Sequence, residues 1–504
     1  MKVVKSLLLG TAAGFVALAG AQAADLPVKA KPVQYVKICD LYGAGYFYVP
    51  GTETCIKLGG YVRFNTYLNA PNGLVAMSNS QGRYNWAETK DVTTRARVYL
   101  TGDVRSQTAY GTLRSYYAVQ FQNPTSNPAS GATGTGTGST PVTTAIIRAF
   151  IQFAGFTIGR STSLADTPDA VSALVANGWP GIGGSTGPNG INVIQYTYQF
   201  GNGFSASLGL EDSDQRDRPV ANLSNVALGA PNFLNDASSS GAMIGSPIPE
   251  ITANLDVTQA WGSARIVGAL HNIRTAYYTG TGGAASGLCP AGNGGTLAYP
   301  GNQACGHPGD KFGYYIGAGF TITAIPGMPG DLFGISGGYA DGASNYAIGF
   351  NNIAMVKNNK VTYGFAPDAV YVNRGDLQTT KAWWVSSGYQ HAWTPTFKSS
   401  IFGAYTGIDF NGTAQRQIAN VVCGNPNAGN CNPDYSYWLV GSRLFLWTPV
   451  PQLDIGLDVI YWKFNSAFKG STDRAVGAPF AGLKKIGNND TWVANLQITR
   501  SFWP

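Results

Sequence analysis

Basic side chains recur at alternate positions of the first apolar segments of the chain. They are Lys57, Arg63, Arg95, Arg97, Arg114 and Arg148. Arg95 and Arg97 are two residues apart, so on an extended strand both side chains point to the same face. An arginine stays charged at every relevant pH, and it costs about 2–4 kcal/mol at the middle of a lipid bilayer. A face that carries several arginines therefore borders water, where charged side chains select among ions.

Two acids lie in a long loop that would face this basic patch. The segment Ser161–Gly190 contains Asp166 and Asp169. It separates the predicted strands Gly155–Arg160 and Ile191–Phe200. Loops longer than about 15 residues are usually functional or disordered. We predict that this loop folds into the lumen of a large β-barrel and narrows a water-filled hole, with both acids opposite the basic patch.

Both assignments have alternatives. The loop could be a disordered external loop, and some of the arginines could lie at the rims, where they would bind lipid headgroups or loop carbonyls. Opposed charges across a constriction would orient dipolar solutes and disfavour apolar ones. Asp256, Asp454 and Asp458 are predicted to face inward on later strands, so the sign of the ion selectivity stays open.

The composition favours many short strands. The chain has 504 residues, of which 12% are charged, 12% are aromatic and 66 are glycine. No run of about 18 apolar residues follows the N-terminal segment, which argues against membrane-spanning helices. Low charge with abundant glycine and aromatic residues is typical of transmembrane strands with alternating faces. The net charge of +7 is small for this length and gives no indication of nucleic-acid binding.

The first 23 residues have the features of an export signal. Lys2 and Lys5 form a basic end, Leu7–Leu18 forms an apolar core, and Ala21–Ala23 fits an A-x-A cleavage site. We therefore predict a signal peptide over residues 1–23, a periplasmic lead-in segment over 24–54 and a transmembrane barrel over 55–504.

Segments of about ten residues alternate apolar and polar side chains, which is the pattern of transmembrane β-strands. Glu250–Gln259, for example, places Ile251 and Leu255 on one face and Asn254 on the other. Sixteen such segments are joined by connections that alternate between short and long. Outer-membrane barrels have an even number of strands, tight turns at one rim and long loops at the other. The sequence therefore predicts an all-β fold, a sixteen-stranded antiparallel transmembrane β-barrel whose third long loop folds inward.

Six cysteines fall into three local pairs. They are Cys39 with Cys55, Cys289 with Cys305, and Cys423 with Cys431. An exported chain can oxidise its cysteines, and the large gaps between the pairs favour local pairing over the other connectivities. The six cysteines are therefore candidates for three local disulfide bonds, and whether the two loop pairs are oxidised stays open. A metal site is disfavoured because no C-x-x-C motif occurs and His307 is the only histidine near a pair. No cofactor is predicted.

The chain resembles the porins of alphaproteobacteria of the Rhizobiales type. The stretch CDLYGAGYFYVPGTETCIKLGGYVRFN (Cys39–Asn65) is similar to the N-terminal signature of that family, as are the ADLPVKA after the signal and the closing TWVANLQITRSFW. The likeness spans Ala24–Pro504. Members of the family are described as sixteen-stranded trimeric channels with a third loop folded inward. This chain departs from many such barrels by ending in Trp503-Pro504 rather than on an aromatic residue.

The resemblance implies a general diffusion porin, a passive water-filled channel for small hydrophilic solutes and ions. It also implies a homotrimer in the Gram-negative outer membrane, in contact with lipid and lipopolysaccharide. A barrel of about 16 strands is wide enough to leave an aqueous channel. One alternative is a substrate-preferring channel, for example for sugars, and another is an adhesive or structural barrel. The tyrosines that would line a sugar path are Tyr61, Tyr99, Tyr116 and Tyr315.

An enzyme is disfavoured. A hydrolase needs a base and a nucleophile within hydrogen-bond reach, and the chain has three histidines, His271, His307 and His391. His307 lies two residues after Cys305, beside the loop that Cys289 and Cys305 bound, and the other two have no obvious serine partner.

Overall fold

The computed structural model describes most of the chain between Lys37 and Phe502. The described residues are 37–69, 83–85, 92–124, 142–168, 182–183, 186, 189–223, 245–275, 307–349, 352–357, 360–372, 375–423, 431–471 and 485–502. The predicted signal peptide lies outside these residues. The boundaries of the lead-in segment and of the barrel therefore stay predictions.

Sixteen strands of the described chain form one closed antiparallel sheet. They are β1 (Cys55–Leu68), β2 (Val92–Thr108), β3 (Gly111–Pro124), β4 (Thr143–Phe153), β5 (Phe156–Ser161), β6 (Ile191–Gly201), β7 (Phe204–Glu211), β8 (Glu250–Gln259), β9 (Gly262–Ile273), β10 (Lys311–Ile322), β11 (Leu332–Asp341), β12 (Gln378–Thr394), β13 (Phe397–Phe410), β14 (Tyr435–Val450), β15 (Leu453–Asn465) and β16 (Asn489–Phe502). Each strand pairs with the next, and β1 pairs with β16, which closes the barrel. The predicted sixteen-stranded barrel is confirmed.

The barrel has an apolar outer face and a polar inner face because successive side chains of a strand point to opposite sides. On β8, Ile251 and Leu255 are exposed, whereas Thr252 and Asn254 are buried. The exposed apolar side chains of the other strands follow the same alternation. Among the described residues, no helix combines the length and the apolar character that crossing a membrane requires.

A β-bulge in β4 corrects one detail of the sequence pattern. Simple alternation places Ile147 on the outer face, but this side chain is 1% exposed and its neighbour Ile146 is 58% exposed. The register shifts here, because Ala118 of β3 pairs with Arg148 while Val119 pairs with Ile146. The extra residue turns Ile147 away from the outer surface.

The connections at the two rims differ in length. At the short-turn rim, Gly201, Asn202 and Gly203 join β6 to β7 with φ angles of 90°, 51° and 79°, a left-handed conformation that glycine and asparagine tolerate best. The long-loop rim carries further elements. They are helix α1 (Gly412–Cys423), the 3-10 turns Ser213–Gln215 and Ser344–Tyr346, and the short strands Arg83–Asn85, Val220–Asn222, Asn352–Lys357, Lys360–Phe365, Ala369–Tyr371, Gly470–Ser471 and Lys485–Ile486.

A buried aromatic core lies between these long loops and the inner face of the barrel. Tyr346 and Tyr363 come from the sixth long connection, which is residues 342–377 between β11 and β12. They belong to one buried cluster with Trp384 of β12, Tyr437 of β14 and Trp462 of β15. Burying one large apolar side chain contributes about 1.5–3 kcal/mol. The sixth long connection is therefore packed against the inner wall rather than extended away from it.

A disulfide bond joins Cys39 to Cys55, which confirms the first predicted pair. It ties the lead-in segment to the first residue of β1, next to the pairing of Phe47 and Tyr48 with the start of that strand. Cys431 is also disulfide-bonded. Cys289, Cys305 and the side chain of Cys423 lie outside the described residues, so the other two pairings stay predictions.

Removing the first disulfide should destabilise the barrel at its short-turn rim. The bond spans 16 residues, and closing a loop of about 15 residues contributes about 3 kcal/mol by chain entropy. We expect the variant with Cys39→Ser and Cys55→Ser to unfold earlier, as measured by circular dichroism in urea. Ser106→Ala, which removes only the 2.9 Å hydroxyl contact to Thr54, is the matched control. An unchanged midpoint in the cysteine variant would contradict the prediction.

Candidate functional site: the lumen wall and its loops

Three arginines lie together on the inner face of β1 and β2. Arg63 is directly opposite Arg97, and Arg95 is opposite Asn65. Opposite side chains on neighbouring strands have Cβ atoms about 4.5–5.5 Å apart, a spacing at which like charges repel. The structure therefore brings together three of the five predicted arginines, and we call Arg63, Arg95 and Arg97 the basic wall.

Neutral oxygen atoms hold two of these guanidinium groups. Arg63 Nε donates to Thr499 Oγ1 at 3.1 Å. Arg97 donates to Gln122 Oε1 from Nε at 3.2 Å and from Nη2 at 2.8 Å. Neither arginine takes part in an ion pair with another described residue. Both groups are therefore held in place while their positive charges still act on the lumen.

Asn65 and the ring of Tyr61 hold the side chains of Arg95 and Arg63, respectively. Arg95 Nη2 donates to Asn65 Oδ1 at 3.1 Å. The guanidinium of Arg63 lies 4.4 Å from the centre of the Tyr61 ring, a cation–π distance. Aromatic faces and amide oxygens thus fix the direction of the arginine side chains.

Arg114 lies apart from the basic wall, close to the short-turn rim. Its Nη2 atom is 2.8 Å from Asp103 Oδ2, and Arg105 Nη2 lies 2.9 Å from the same oxygen. Burial and Asp103 raise the pKa of Tyr46, in the lead-in segment, to about 12. Arg114 therefore belongs to an ion-pair network that attaches the lead-in segment to the inner face.

Arg148 contacts the start of the third long loop. Its Nη1 atom donates to the carbonyl of Ile147 at 2.8 Å, and its Nη2 atom lies 3.3 Å from Thr162 Oγ1. The structure therefore places this predicted site residue beside the loop rather than among the three arginines of the basic wall.

The described start of the third long loop is bonded to inward-facing side chains of three strands. Gln195 of β6 donates to the carbonyl of Thr162 at 2.8 Å, and Asn254 of β8 donates to that of Leu164 at 3.1 Å. Arg265 of β9 donates to the carbonyl of Asp166 at 3.1 Å. These bonds fix residues 162–166 against the barrel wall.

Asp166, the first predicted loop acid, is 6% exposed. Its carboxylate accepts from the amide of Thr186 at 2.9 Å and from the hydroxyl of the same residue. It also lies 3.5 Å from Nη2 of Arg216. The acid is therefore surrounded by donors that hold the loop together. Asp169, the second predicted acid, lies outside the described residues.

Sequence reasoning missed a group of buried charges at the long-loop rim. We call it the rim charge cluster, and its members are Glu211, Arg216, Asp217, Arg218, Glu250, His271 and Asp368. The fourth long connection, which is residues 212–249 between β7 and β8, supplies the three consecutive residues 216–218, and the sixth supplies Asp368. The one available signal was the Arg-Asp-Arg tripeptide, an alternation of charge within a loop that otherwise has few charges.

Arg216 links the rim charge cluster to the third long loop. It lies 3.5 Å from Asp166 and 3.7 Å from Glu211, and its guanidinium is 4.3 Å from the centre of the Tyr346 ring. Burial alone would lower its pKa, but Tyr346, Glu211 and Asp166 hold the pKa of Arg216 above its ordinary value. One cation therefore joins the third, fourth and sixth long connections.

Asp368 and His271 form the other half of the cluster. Asp368 accepts from the amide of Arg218 at 2.9 Å and from the amide and hydroxyl of Ser344 at 2.7 and 2.8 Å. His271 Nδ1 lies 2.8 Å from Glu250 Oε1, and its Nε2 lies 3.2 Å from Asp368 Oδ2. Burial raises the pKa of the neighbouring Asp217 to about 7.

Known proteins are similar to this chain in sequence and in fold. A family model described as "Porin subfamily" matches residues 25–492. Porin Omp2b of Brucella suis is 34% identical over 263 residues, which cover 52% of this chain and 64% of that protein. Porin Omp2b of Brucella abortus strain 2308 is 34% identical over 262 residues, with the same coverage. The aligned part thus spans less than two thirds of these relatives.

The solved outer membrane channel DcaP of Acinetobacter baumannii has the same fold. It superposes with a TM-score of 0.59 at 14% identity, covering 90% of this chain and 99% of that one. The family match confirms the resemblance that Cys39–Asn65 indicated. Matched along residues 25–492 and closed into sixteen strands, the chain belongs to the porin family and is a multi-pass barrel of the outer membrane.

Proposed function

We propose that this barrel is a general diffusion porin through which small hydrophilic solutes and ions pass down their gradients, with a preference for anions. The observation that carries the proposal is the pair Arg63 and Arg97, opposite each other on the inner face and bonded to neutral oxygens. Charged side chains along a lumen set ion preference by their field. The pair therefore favours anions at this depth of the channel.

Three acids elsewhere on the inner face support this preference because they are already paired with arginines, whereas Asp454 accepts from the hydroxyl of Thr448 at 2.7 Å. The pairs are Asp103 with Arg105 and Arg114, Asp256 with Arg265, and Asp458 with Arg443. A close ion pair exerts a weaker field at a distance than an isolated charge does. The basic wall thus dominates the field of the described inner face.

The size limit, in this proposal, comes from the third long loop lying inside the lumen. Its hydrogen bonds to Gln195, Asn254 and Arg265 support this position. So do the glycines of the wall, because a Cβ atom on Gly319 would lie 3.0 Å from the carbonyl oxygen of Pro168. We propose that Asp166 shapes this loop and that Asp169 is the acid that borders the channel, opposite the basic wall.

We propose a homotrimer in contact with outer-membrane lipid and lipopolysaccharide. Strand β5 has 6 residues, so it is about 20 Å long, whereas a tilted strand needs about 9–11 residues to cross a bilayer. Its outer face exposes Phe156 and Ile158. A neighbouring protomer that covers this short part of the wall would remove it from lipid.

The test is the conductance of the detergent-folded protein in a planar bilayer, together with the reversal potential under a salt gradient. Stepwise openings in threes and a reversal potential of the anion-selective sign are expected. A cation-selective sign would overturn the role of the basic wall. Verified folded protein without any openings would overturn the general porin and favour an adhesive or structural barrel.

A sugar-preferring channel is the second candidate, and a set of aromatic rings favours it. Tyr61 stacks on Tyr99 with ring centres 5.0 Å apart, and Tyr116 stacks on Phe150 at 5.2 Å. Tyr315 is 2% exposed and contacts Trp384, so it is not part of an open row. Block of the ion current by millimolar sugar would distinguish this candidate from the general porin.

A further inference from the structure

Three possible metal ligands converge in the rim charge cluster. Asp217, Glu250 and His271 each offer a ligand atom, and these atoms all lie within 4.8 Å of one another. Asp217 comes from the fourth long connection, whereas Glu250 and His271 begin β8 and nearly end β9. Glu250 is 0% exposed and His271 is 1% exposed. The groups therefore meet where a loop is held against the barrel wall.

The histidine has carboxylate oxygens at both ring nitrogens. Nδ1 lies 2.8 Å from Glu250 Oε1 and Nε2 lies 3.2 Å from Asp368 Oδ2. Nε2 is fully buried and makes no hydrogen bond of good geometry to the described residues. A neutral imidazole carries one N–H for its two nitrogens. One lone pair would then face a carboxylate oxygen, unless a second proton or a cation lies between them.

The charges of the cluster also leave a deficit of positive charge. Its described members are four carboxyl groups, two guanidinium groups and one imidazole, so the carboxyl groups outnumber the guanidinium groups by two. Asp166, which Arg216 also contacts, adds a further negative charge. Buried charges are normally paired or coordinate a metal. One divalent cation would balance the seven members of the cluster.

We propose that Asp217, Glu250 and Nδ1 of His271 bind a divalent transition-metal ion of the zinc type. Imidazole nitrogen together with carboxylate oxygen suits zinc and its neighbours, whereas calcium and magnesium take oxygen ligands. The ion takes the place of the proton between Nδ1 and Glu250. It thereby fixes the fourth long connection to the ends of β8 and β9.

The surrounding groups suit such a site. With the ion on Nδ1, the ring N–H is at Nε2, where Asp368 Oδ2 lies 3.2 Å away, so that a small rotation of the ring would give the carboxylate–histidine arrangement common around zinc. Asp368 is itself held by Ser344 and by the amide of Arg218. The second oxygen of Glu250 accepts from the hydroxyl of Tyr346 at 2.9 Å. Asp217 is half-buried, which leaves the ion a path from solvent.

The test is a calorimetric titration of Zn²⁺ into the full-length, detergent-folded protein after treatment with chelator, with Mg²⁺ as the oxygen-preferring comparison. We expect one Zn²⁺ per chain and an upward shift of the thermal midpoint. Asp217→Asn should weaken Zn²⁺ binding at least about tenfold, since even outer-sphere partners contribute about 10–100-fold. Because Asp217 is only half-buried, this variant keeps the barrel fold, which circular dichroism verifies.

The matched control is His391→Gln. His391 lies 2.9 Å from Asp331 near the end of β12 at the short-turn rim, opposite the long-loop rim that carries the rim charge cluster, and it is outside the proposed ligand set. The His391→Gln variant should bind Zn²⁺ like the unchanged protein, whereas the His271→Gln variant should lose Zn²⁺ binding. Folded protein that binds no Zn²⁺ would overturn the proposal, as would equal binding by the Asp217→Asn variant. Loss of binding in the His391→Gln variant would also overturn it by moving the ion to the other histidine.

Discussion

Replacing Arg63 and Arg97 together by glutamine should remove most of the anion preference of the channel. At about 6 Å from a passing ion in water, one unit charge is worth about 0.7 kcal/mol, or about threefold in relative permeability. Losing both charges should therefore lower the permeability of anions about tenfold relative to that of a neutral solute, and the anion-to-cation ratio by more, because the same charges repel cations. Arg63 and Arg97 contact Thr499 and Gln122 on the inner face, where a glutamine side chain can contact water. The barrel should therefore still fold.

The reversal potential under a salt gradient measures this effect directly. The variant with Arg63→Lys and Arg97→Lys keeps both charges and serves as the control, which should stay anion-selective. The difference should shrink at molar salt, because the screening length falls to about 3 Å. A glutamine variant with the original reversal potential would show that the selective charges lie elsewhere.

Replacing Arg216 by methionine should release the loops from the wall and raise the single-channel conductance. The change removes the cation beside Asp166 and Glu211, which are 6% and 1% exposed. Breaking a buried ion pair by removing one partner costs about 3–5 kcal/mol. Because Arg216 joins three long connections, the penalty should fall on the loops while the strand ladder stays intact.

Conductance and limited proteolysis of the folded protein measure this release. We expect larger current steps and faster cleavage within the third and fourth long connections. Adding Asp166→Asn and Glu211→Gln to Arg216→Met removes the stranded charges and should restore part of the lost stability. A single Arg216→Met variant with unchanged conductance and cleavage would contradict the role of Arg216 as the link between loops.

The strands were predictable because their residues face two different solvents. Ile251 and Leu255 alternate with Asn254 since lipid lies on one side of the wall and water on the other. The same alternation put Arg63 and Arg97 on the inner face, and pairing of adjacent strands brought them together. The orientation of Ile147 was not predictable by alternation because a bulge changes the register by one residue without changing the composition of the strand.

The rim charge cluster was not predictable because loops have no periodicity that relates one residue to another. Arg218 meets Asp368 across 150 residues, and Arg216 meets Asp166 across 50. Such contacts depend on where each loop turns, which the chain determines through packing of side chains like Tyr346 and Trp384. The sequence therefore drew attention to Asp166, but it gave no indication of the partner Arg216.

The seam between β1 and β16 ties selectivity to assembly. The hydroxyl that holds Arg63 belongs to Thr499, 436 residues away, and Asn65 bonds across the same seam to Asn495. These partners come from the first and last strands of the barrel. Their contact has a very high sequence separation, so it forms at a large entropic cost. A sheet whose seam is still open has its basic wall exposed at an edge, without Thr499 and without an enclosed water column. In the proposed channel the basic wall is therefore completed by the same step that closes the barrel, so ion selection should require a closed seam.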